Sequence, residues 1–298
     1  MLLDRLLRHV NLHVAPFAVC DIRSGSRLKM EGARGAQMHF VLHGAGELAA
    51  KGGRVPLGRY SLVLVPPGVA HTISSFGEPS ESIELAGEEI EGVERIVAGD
   101  GETGLVLACG ALRVELSATG LFQRLPRPIV EPFDNSPRMK QLFDALLEEQ
   151  LEGRPGRLRV IESVMMQCLV HLLRRLMRAS SPLPWLEALD DSQLRRALDA
   201  ILDKPEAPHT LDDLAATAGM SRSSFTARFS AAFGQSPMAF VKEVRLQAGA
   251  KLLRTTDLPI KAIASKVGYA SRSHFSRAFK EQFARDPAYY RREHEDDQ

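Results

Sequence analysis

The sequence predicts an α+β multidomain protein in which a β-rich N-terminal domain is followed by a helical segment and an all-α C-terminal domain. Its 298 residues are enough for two domains with separate cores. Short apolar or alternating runs, separated by Gly and Pro turn signals, fill residues 16 to about 115 and are typical of a sandwich or barrel. The predicted strands are Phe17–Ile22, Met38–Leu42, Ser61–Val65, Ser82–Leu85 and Leu105–Cys109.

We place the three segments at residues 1–125, 126–185 and 186–298. In the middle segment, apolar stripes at helical spacing predict helices over 138–151 and 157–177. Helices with such stripes need a partner for the apolar face. A homodimer and packing against the β-rich domain are both open at this stage.

The first ten residues predict a short amphipathic helix docked on its own domain. Asp4, Arg5 and Arg8 interrupt the apolar run, so it does not have the pattern of a signal peptide. No stretch approaches the ~20 apolar residues of a membrane span, and we expect no membrane partner. Three cysteines without close spacing favour reduced thiols in a cytoplasmic protein.

The C-terminal domain contains an internal repeat between His209 and Arg292. Ser221–Ser223 (Ser-Arg-Ser) recurs fifty residues later as Ser271–Ser273. Phenylalanines spaced by four residues recur with it, at Phe225, Phe229 and Phe233 and again at Phe275, Phe279 and Phe283.

Each copy of the repeat predicts two short helices joined by a sharp turn. In the first copy, Thr210 is suited to begin a helix, Gly219 to end it in a left-handed conformation, and Ser221 to begin the next. In the second copy, Pro259 suits the first helical turn. The phenylalanine stripes pack inward, so each copy is a helix-turn-helix motif with a polar outer face on its second helix.

Small or hydrogen-bonding groups on those outer faces are the candidate DNA-binding residues. Arginine can bind guanine with two hydrogen bonds, and Arg277 lies one turn into its helix, so we expect Arg277 to be the strongest base reader. Arg222 and Arg272 lie in the first turns, where phosphate contact is expected. The full candidate set is Arg222, Ser223, Thr226, Ala227, Arg272, Ser273, His274, Arg277 and Lys280.

Spacing and charge support contact with double-stranded DNA. The helical pattern over 237–254 predicts a rod of roughly 27 Å, comparable to the ~34 Å between major grooves on one side of B-DNA. Between His209 and Arg292 there are fourteen Lys/Arg and six Asp/Glu, although the whole chain is near +1. A basic module on an acidic remainder is typical of phosphate binding.

These residues resemble the DNA-binding domain of the AraC/XylS family of transcription regulators over about a third of the chain. The resemblance implies an activator of transcription with RNA polymerase as a further partner. One departure is Ala284, where the family usually has glycine, and we expect a slightly strained helix end there. The matching residues are Leu214–Ala215, Gly219–Arg222, Phe229, Gly234–Pro237, Arg245–Leu246, Ala250, Leu252–Leu253, Ile260, Ile263–Ala264, Val267–Tyr269, Phe275, Arg277, Phe279–Lys280 and Pro287–Arg291.

Two segments of the β-rich domain, His39–Glu47 and Gly58–His71, resemble the two motifs of cupins, and Cys109-Gly110 resembles a pair found late in such domains. The resemblance implies a cupin-like β-barrel (double-stranded β-helix) that senses a small molecule, with His39, Glu47 and His71 as effector-binding candidates.

A divalent metal at His39 and His71 is an alternative, since imidazoles suit zinc, nickel or iron. The first motif lacks the His-x-His of metal-binding cupins, and His39 and His43 lie ~13 Å apart on a strand, so at most one can join His71. A further alternative is that the histidines line a ligand pocket or are hydrogen-bonded in the barrel.

Cys20 and Cys109 both fall in the β-rich domain and are candidates for a redox sensor, because either thiol can be oxidised. The alternative is that all three cysteines are inert and buried.

The sequence contains no P-loop, dinucleotide fingerprint, nucleophile elbow or zinc-finger spacing, and we expect no enzyme activity. A cupin metalloenzyme such as a dioxygenase is the rival hypothesis, and it leaves the C-terminal repeat without a role. We therefore predict a cytoplasmic transcription regulator that responds to a small-molecule or redox effector.

Overall fold

The computed structural model describes residues 2–10, 12–78, 85–90, 93–114, 122, 125, 127–152, 154–178 and 182–295. Most of the predicted strand Ser82–Leu85 therefore lies outside the described residues. Contacts divide the chain into two units. The β-rich unit comprises residues 13–113 and 122–182, and the helical unit comprises residues 1–12, 114–121 and 183–298.

The described part of the β-rich unit contains ten strands and two helices. The strands are β1 (Leu12–Arg23), β2 (Arg27–Met30), β3 (Gln37–Ala50), β4 (Gly53–Gly58), β5 (Ser61–Val65), β6 (His71–Ser75), β7 (Leu85–Ile90), β8 (Val93–Ala98), β9 (Thr103–Val114) and β10 (Ile129–Pro132). The helices are α2 (Pro137–Glu152) and α3 (Arg157–Leu176).

Strand β3 is shared by the two halves of a curled sheet. Its first half pairs with β5 and β9, and its second half pairs with β4 and β6. The path β10-β5-β3-β9-β1-β8-β7 continues around one side, while β2 pairs with β6. The cupin-like fold expected from the motifs is confirmed.

Glycine is required where β3 passes from one half to the other. Gly44 has φ +79°, and a Cβ on Gly46 would lie 2.0 Å from the carbonyl oxygen of Ser74. Neither position accepts a larger residue without moving the backbone. The strand thereby turns its core residues, Val41 and Leu48 among them, toward one interior.

Helices α2 and α3 pack within the β-rich unit. The apolar stripe of α2 is buried at Met139, Phe143 and Leu146, and α2 contacts both α3 and β3. A Cβ on Gly110 would lie 3.0 Å from Sδ of Met165 in α3, so the glycine lets the helix approach the sheet closely. Intramolecular packing, one of the two alternatives, therefore covers these stripes.

The helical unit has nine described helices, with α8 at its centre. Helix α8 contacts α1, α5, α7, α9, α10 and α11. The helices are α1 (Leu2–Val10), α4 (Pro184–Asp190), α5 (Ser192–Asp203), α6 (Leu211–Ala218), α7 (Arg222–Phe233), α8 (Pro237–Thr255), α9 (Ile260–Lys266), α10 (Arg272–Phe283) and α11 (Pro287–Glu295). No helix in the described ranges has the length and apolar character needed to cross a membrane.

The predicted caps of the first motif are confirmed. Thr210 accepts a hydrogen bond from the Asp213 N–H, Gly219 ends α6 with φ 66°, and Ser221 accepts one from the Ser224 N–H. In the second motif Ser271 caps α10 in the same way, whereas Pro259 lies at the N-cap of α9, one residue before the first turn.

The aromatic packing is repeated as closely as the sequence. In the first motif, Phe229 lies 4.7 Å from Phe233 and 5.5 Å from Phe240 between ring centroids. The corresponding distances in the second motif are 4.3 Å for Phe279–Phe283 and 5.3 Å for Phe279–Tyr290. Both inward stripes therefore form the cores expected of them.

Helix α1 packs on α5 and α8 of the helical unit, which differs from our expectation that it docks on its own domain. Its leucines Leu3 and Leu6 are buried there. Arg5 lies 2.5 Å from Oδ1 of Asp199 and 2.7 Å from Oδ1 of Asp203. Two carboxylates on α5 thus match the charge of α1, a pairing that the local sequence of α1 does not reveal.

The second helices of the two motifs, α7 and α10, are their recognition helices, and both end in the left-handed region. The C-cap residues are Gly234 at φ 75° and Ala284 at φ 57°. A Cβ costs ~1–2 kcal/mol in this conformation, partly offset by the chain entropy that glycine loses on folding. We expect Ala284→Gly to raise the free energy of unfolding by about 1 kcal/mol and Gly234→Ala to lower it, measured by urea denaturation. Equal signs for the two variants would contradict this strain.

Candidate nucleic-acid interface and buried histidine–cysteine cluster

The second helices of the two motifs expose most of the predicted DNA-binding residues. On α7, Thr226 is the exception, because it is half-buried and its hydroxyl donates to the carbonyl oxygen of Arg222, 2.9 Å away. On α10, every predicted residue is exposed. The exposed set is Arg222, Ser223, Ala227, Arg272, Ser273, His274, Arg277 and Lys280.

The arginines on these two faces differ in their neighbours. Nη1 of Arg222 lies 3.6 Å from Oδ2 of Asp212 in α6, and both side chains are exposed. Within the described part of the chain, Arg272 and Arg277 form no ion pair. The guanidinium groups of α10 are therefore the more available for an external phosphate or base.

The central helix α8 fixes the second motif closely. A Cβ on Gly249 would lie 2.8 Å from the Phe275 ring, so the glycine allows α8 and α10 to touch. Arg245 donates to the carbonyl oxygens of Pro205 and Ala207 at 2.7 and 2.6 Å, which ties α8 to the loop before α6. Gly249 is not among the residues predicted from the sequence, although a glycine inside a helical pattern often marks such a contact.

Four polar side chains from β1, β3, β6 and β9 meet inside the β-rich unit. Nε2 of His39 lies 2.9 Å from Nε2 of His71, and Nδ1 of His39 lies 3.1 Å from Sγ of Cys109. Sγ of Cys109 lies 3.7 Å from Sγ of Cys20. His39 and Cys109 are direct cross-strand partners on β3 and β9, which explains their contact. We call these four residues the His–Cys cluster.

The donor and acceptor role of each group in the His–Cys cluster follows from one hydrogen bond at its end. Nδ1 of His71 lies 3.2 Å from the carbonyl oxygen of Val69, which only accepts, so Nδ1–H donates and Nε2 of His71 accepts. His39 then donates from Nε2 and accepts at Nδ1 from the thiol of Cys109. The sulfur of Cys109 is left to accept from the Cys20 thiol. All four groups are neutral in this arrangement.

Burial explains why the His–Cys cluster is neutral. His39, Cys20 and Cys109 are fully buried, and His71 is 2% exposed. Desolvation, with a smaller contribution from His71, lowers the pKa of His39 to about 3. Desolvation also lowers the pKa of His71, against the opposing effect of its hydrogen bond to Val69. The hydrogen bond with Cys20, together with burial, raises the pKa of Cys109 well above its usual range.

Comparison with known proteins places the chain in a family. A family model described as cupin matches residues 2–178, and one described as a helix-turn-helix domain matches residues 214–293. An AraC-like transcription regulator from Streptomyces lividans is 34% identical over 207 residues, which cover 68% of this chain and 67% of that protein. The chain belongs to the AraC family of transcription regulators.

Two further members of the AraC family align over most of their length. MtrA of Neisseria gonorrhoeae is 29% identical over 261 residues, 86% of either chain. RclR of Escherichia coli K12, described as an RCS-specific transcriptional activator, is 28% identical over 259 residues, 85% of this chain and 83% of that protein. The protein is accordingly a DNA-binding regulator with an N-terminal cupin domain.

The His–Cys cluster of this AraC-family regulator does not fit a cupin metal centre. Two nitrogens bound to one metal at 2.0–2.1 Å in a tetrahedral site lie about 3.3 Å apart, whereas those of His39 and His71 are at hydrogen-bond distance. The nearest thiol, Cys109, contacts the opposite nitrogen of the His39 ring. Among the residues described, no group of three His, Cys, Asp or Glu is placed to hold a metal ion.

Glu47 and His43 lie away from the His–Cys cluster. Leu48 points into the core, so the preceding Glu47 faces the other side of β3, where it pairs with Arg54 at 2.5 Å. His43 follows a register shift in β3 and is exposed. Of the three proposed effector-binding residues, the structure thus brings together only His39 and His71.

The His–Cys cluster predicts a pH-dependent stability. Below about pH 6.5 the unfolded chain binds a proton at His39, whereas the folded protein keeps it neutral down to about pH 3. Stability is therefore fully present above pH 6.5 and is lost as pH falls toward 3, by at most about 1.4 kcal/mol per pH unit for one histidine. The free energy of unfolding, measured with urea at several pH values between 7 and 5, should fall less steeply with pH in His39→Gln than in the native protein.

His43→Gln is the matched control, because His43 lies on the same strand but is exposed. Its slope should equal that of the native protein. A slope unchanged by His39→Gln would show that His39 does not remain neutral in the folded state.

Proposed function

We propose that this AraC-family regulator binds double-stranded DNA through α7 and α10 and activates transcription in the cytoplasm, with RNA polymerase as its partner. The observation that carries the proposal is the pair of exposed, basic recognition faces built on one central helix. The 19 residues of α8 give a rod of about 28 Å, which suits two successive major grooves. RclR is described as an activator, and this supports the same role here. We propose a binding role rather than catalysis.

Within the interface we propose different roles for the arginines. Arg277 is exposed, forms no ion pair among the described residues, and lies one turn into α10, so it reads a base. Arg272, in the first turn of α10, contacts phosphate. Ala227, the counterpart of Arg277 on α7, offers only a methyl group to the DNA.

For the signal we propose that the cupin domain binds a small-molecule effector beside His71. A surface cavity of about 320 Å³ is lined by His71, Ala50 and Lys29. Both ring nitrogens of His71 are hydrogen-bonded, to Val69 and to His39, so a ligand that bonds to His71 would displace one of these contacts and perturb the whole His–Cys cluster. Regulation requires the effector to bind the DNA-competent and incompetent states with different affinity.

Oxidation of Cys20 and Cys109 is the second candidate signal, favoured by their 3.7 Å separation. A disulfide needs the two sulfurs at about 2.05 Å, a movement of under 2 Å. With hydrogen peroxide as oxidant, the two thiols lose two protons and two electrons, and the hydrogen peroxide is reduced to two waters. Both thiols are fully buried, so the oxidant must be small and neutral to reach them. The raised pKa of Cys109 slows the reaction, because the thiolate is the nucleophile.

Dimerisation is a further proposal for this regulator. The support for it is that α3 retains the exposed apolar residue Val160. The apolar stripes of α2 and α3 are already buried within the chain, so a dimer would use other residues of these helices.

The DNA-binding proposal is tested by selecting sites from random duplexes with the full chain. We expect Arg277→Ala to relax preference at one or two base pairs, because a bidentate contact discriminates by about 1–3 kcal/mol. Arg272→Ala, the matched control, should weaken binding to all DNA sequences equally. It should also reduce the slope of log affinity against log salt concentration by about 0.9. Equal weakening by both variants would make Arg277 a phosphate contact, and no selected sequence at all would overturn DNA reading.

The redox proposal is tested by thiol counting and DNA affinity before and after hydrogen peroxide. Cys168 is the internal control, because it lies in α3 and burial raises its pKa to about 12. We expect hydrogen peroxide to remove two thiols from the native protein and two from Cys168→Ser, and to change the DNA affinity of both proteins by the same factor. Cys20→Ser and Cys109→Ser should keep their affinity. Oxidation that spares DNA affinity in the native protein would exclude this signal.

A further inference from the structure

The helical unit contains a cavity that lies outside both recognition faces. Its volume is about 1020 Å³, and its walls come from α1, the end of α5, α8 and the end of α9. Small-molecule sites measure roughly 300–1,000 Å³, so the cavity is large enough for one. None of the predicted DNA-binding residues lines it. Its aliphatic lining is Leu7, Leu202, Ala248, Leu252 and Val267.

Cationic side chains outnumber acidic ones around the cavity. The cations are Arg5, Lys251, Arg254 and Lys266, and the acids are Asp203 and Glu206. Arg5 is neutralised locally, because it pairs with Asp203 at 2.7 Å and with Asp199 on α5. Lys251 and Lys266 are exposed and have no ion pair among the described residues. The cavity therefore favours a ligand that brings negative charge.

A buried amide lies beside the cavity but is not a ligand contact. Gln247 on α8 lines the cavity and is 6% exposed. Its Nε2 has no hydrogen-bond partner within the described part of the chain and is itself buried, so a group in the cavity does not reach it. The charge and the aliphatic lining are therefore the features that select a ligand.

We propose that this cavity binds a small organic anion, a carboxylate or sulfonate with an apolar body. The anionic oxygens accept a hydrogen bond from the Lys251 ammonium, and hydrogen bonds between charged groups are the strongest. The apolar body lies against Leu7, Leu202 and Leu252 and is removed from water. The inference concerns a site distinct from the His–Cys cluster and does not depend on the signal proposed there.

Such a ligand would contact α1 and α8 at once. Arg5 and Leu7 belong to α1, whereas Gln247 and Lys251 belong to α8. A ligand that needs both walls binds only while α1 is docked, and by mass action it stabilises the docked state. The site would then control how firmly α1 is held on α5 and α8.

The test uses the full chain and two probes that share one skeleton. The first is 1-anilinonaphthalene-8-sulfonate, and the second is N-phenyl-1-naphthylamine, which lacks the sulfonate. We expect the sulfonate to bind at least tenfold more tightly in a fluorescence titration. Lys251→Gln should weaken its affinity about tenfold, as loss of one charged hydrogen bond does. Lys261→Gln, an exposed lysine on α9 outside the cavity, is the matched control and should leave affinity within twofold.

Gln247→Leu is a second control, because its Nε2 is buried out of reach of the cavity. The amide N–H is unpaired, so the apolar replacement should keep or raise the Tm of the free protein and leave its sulfonate affinity within twofold. A loss of sulfonate affinity in Gln247→Leu equal to that in Lys251→Gln would overturn the proposal. So would equal binding of the two probes, or equal losses in Lys251→Gln and Lys261→Gln. Displacement of the sulfonate by duplex DNA, with equal weakening of DNA binding in Lys251→Gln, would make the rim a phosphate contact and also overturn it.

Discussion

The four side chains of the His–Cys cluster are joined in series, each by one hydrogen bond to the next. The Val69 carbonyl oxygen sets the tautomer of His71, His71 sets that of His39, and His39 fixes the thiol of Cys109. Buried polar groups are costly unless they are paired, so a change at one end of this chain cannot leave the other end as it was. Under either signal proposed above, a ligand at His71 or oxidation at Cys109, this constraint would carry the change through the whole His–Cys cluster.

The two helix-turn-helix motifs have the same packing in their cores but differ on their surfaces. Their aromatic rings pack at nearly equal distances, which shows that the inward residues are under the same packing constraint. The outward residues are free of that constraint and differ in part. Arg222 has an acidic neighbour, whereas Arg277 has none among the described residues and its counterpart is an alanine. This difference supports the unequal roles proposed for the two motifs in reading DNA.

Local features were predictable from the sequence, and long-range contacts were not. The caps at Thr210 and Ser221 depend on residues three apart, so the sequence alone predicts them. Cys20 and Cys109 are 89 residues apart, and only the pairing of β9 with its neighbours brings them together. The cupin motifs identified His39 and His71 but did not show that Glu47 faces the opposite side of β3.

Helix α1 shows why an amphipathic pattern does not identify its partner. Its leucines require burial, but any apolar surface would satisfy them. The choice of α5 and α8 depends on Arg5 and a carboxylate 194 residues later, a pairing that the pattern of either helix alone does not contain. Helix α1 ends at Val10 and β1, which carries Cys20, begins at Leu12. The covalent chain itself therefore joins a strand of the His–Cys cluster to a helix docked on α5 and α8.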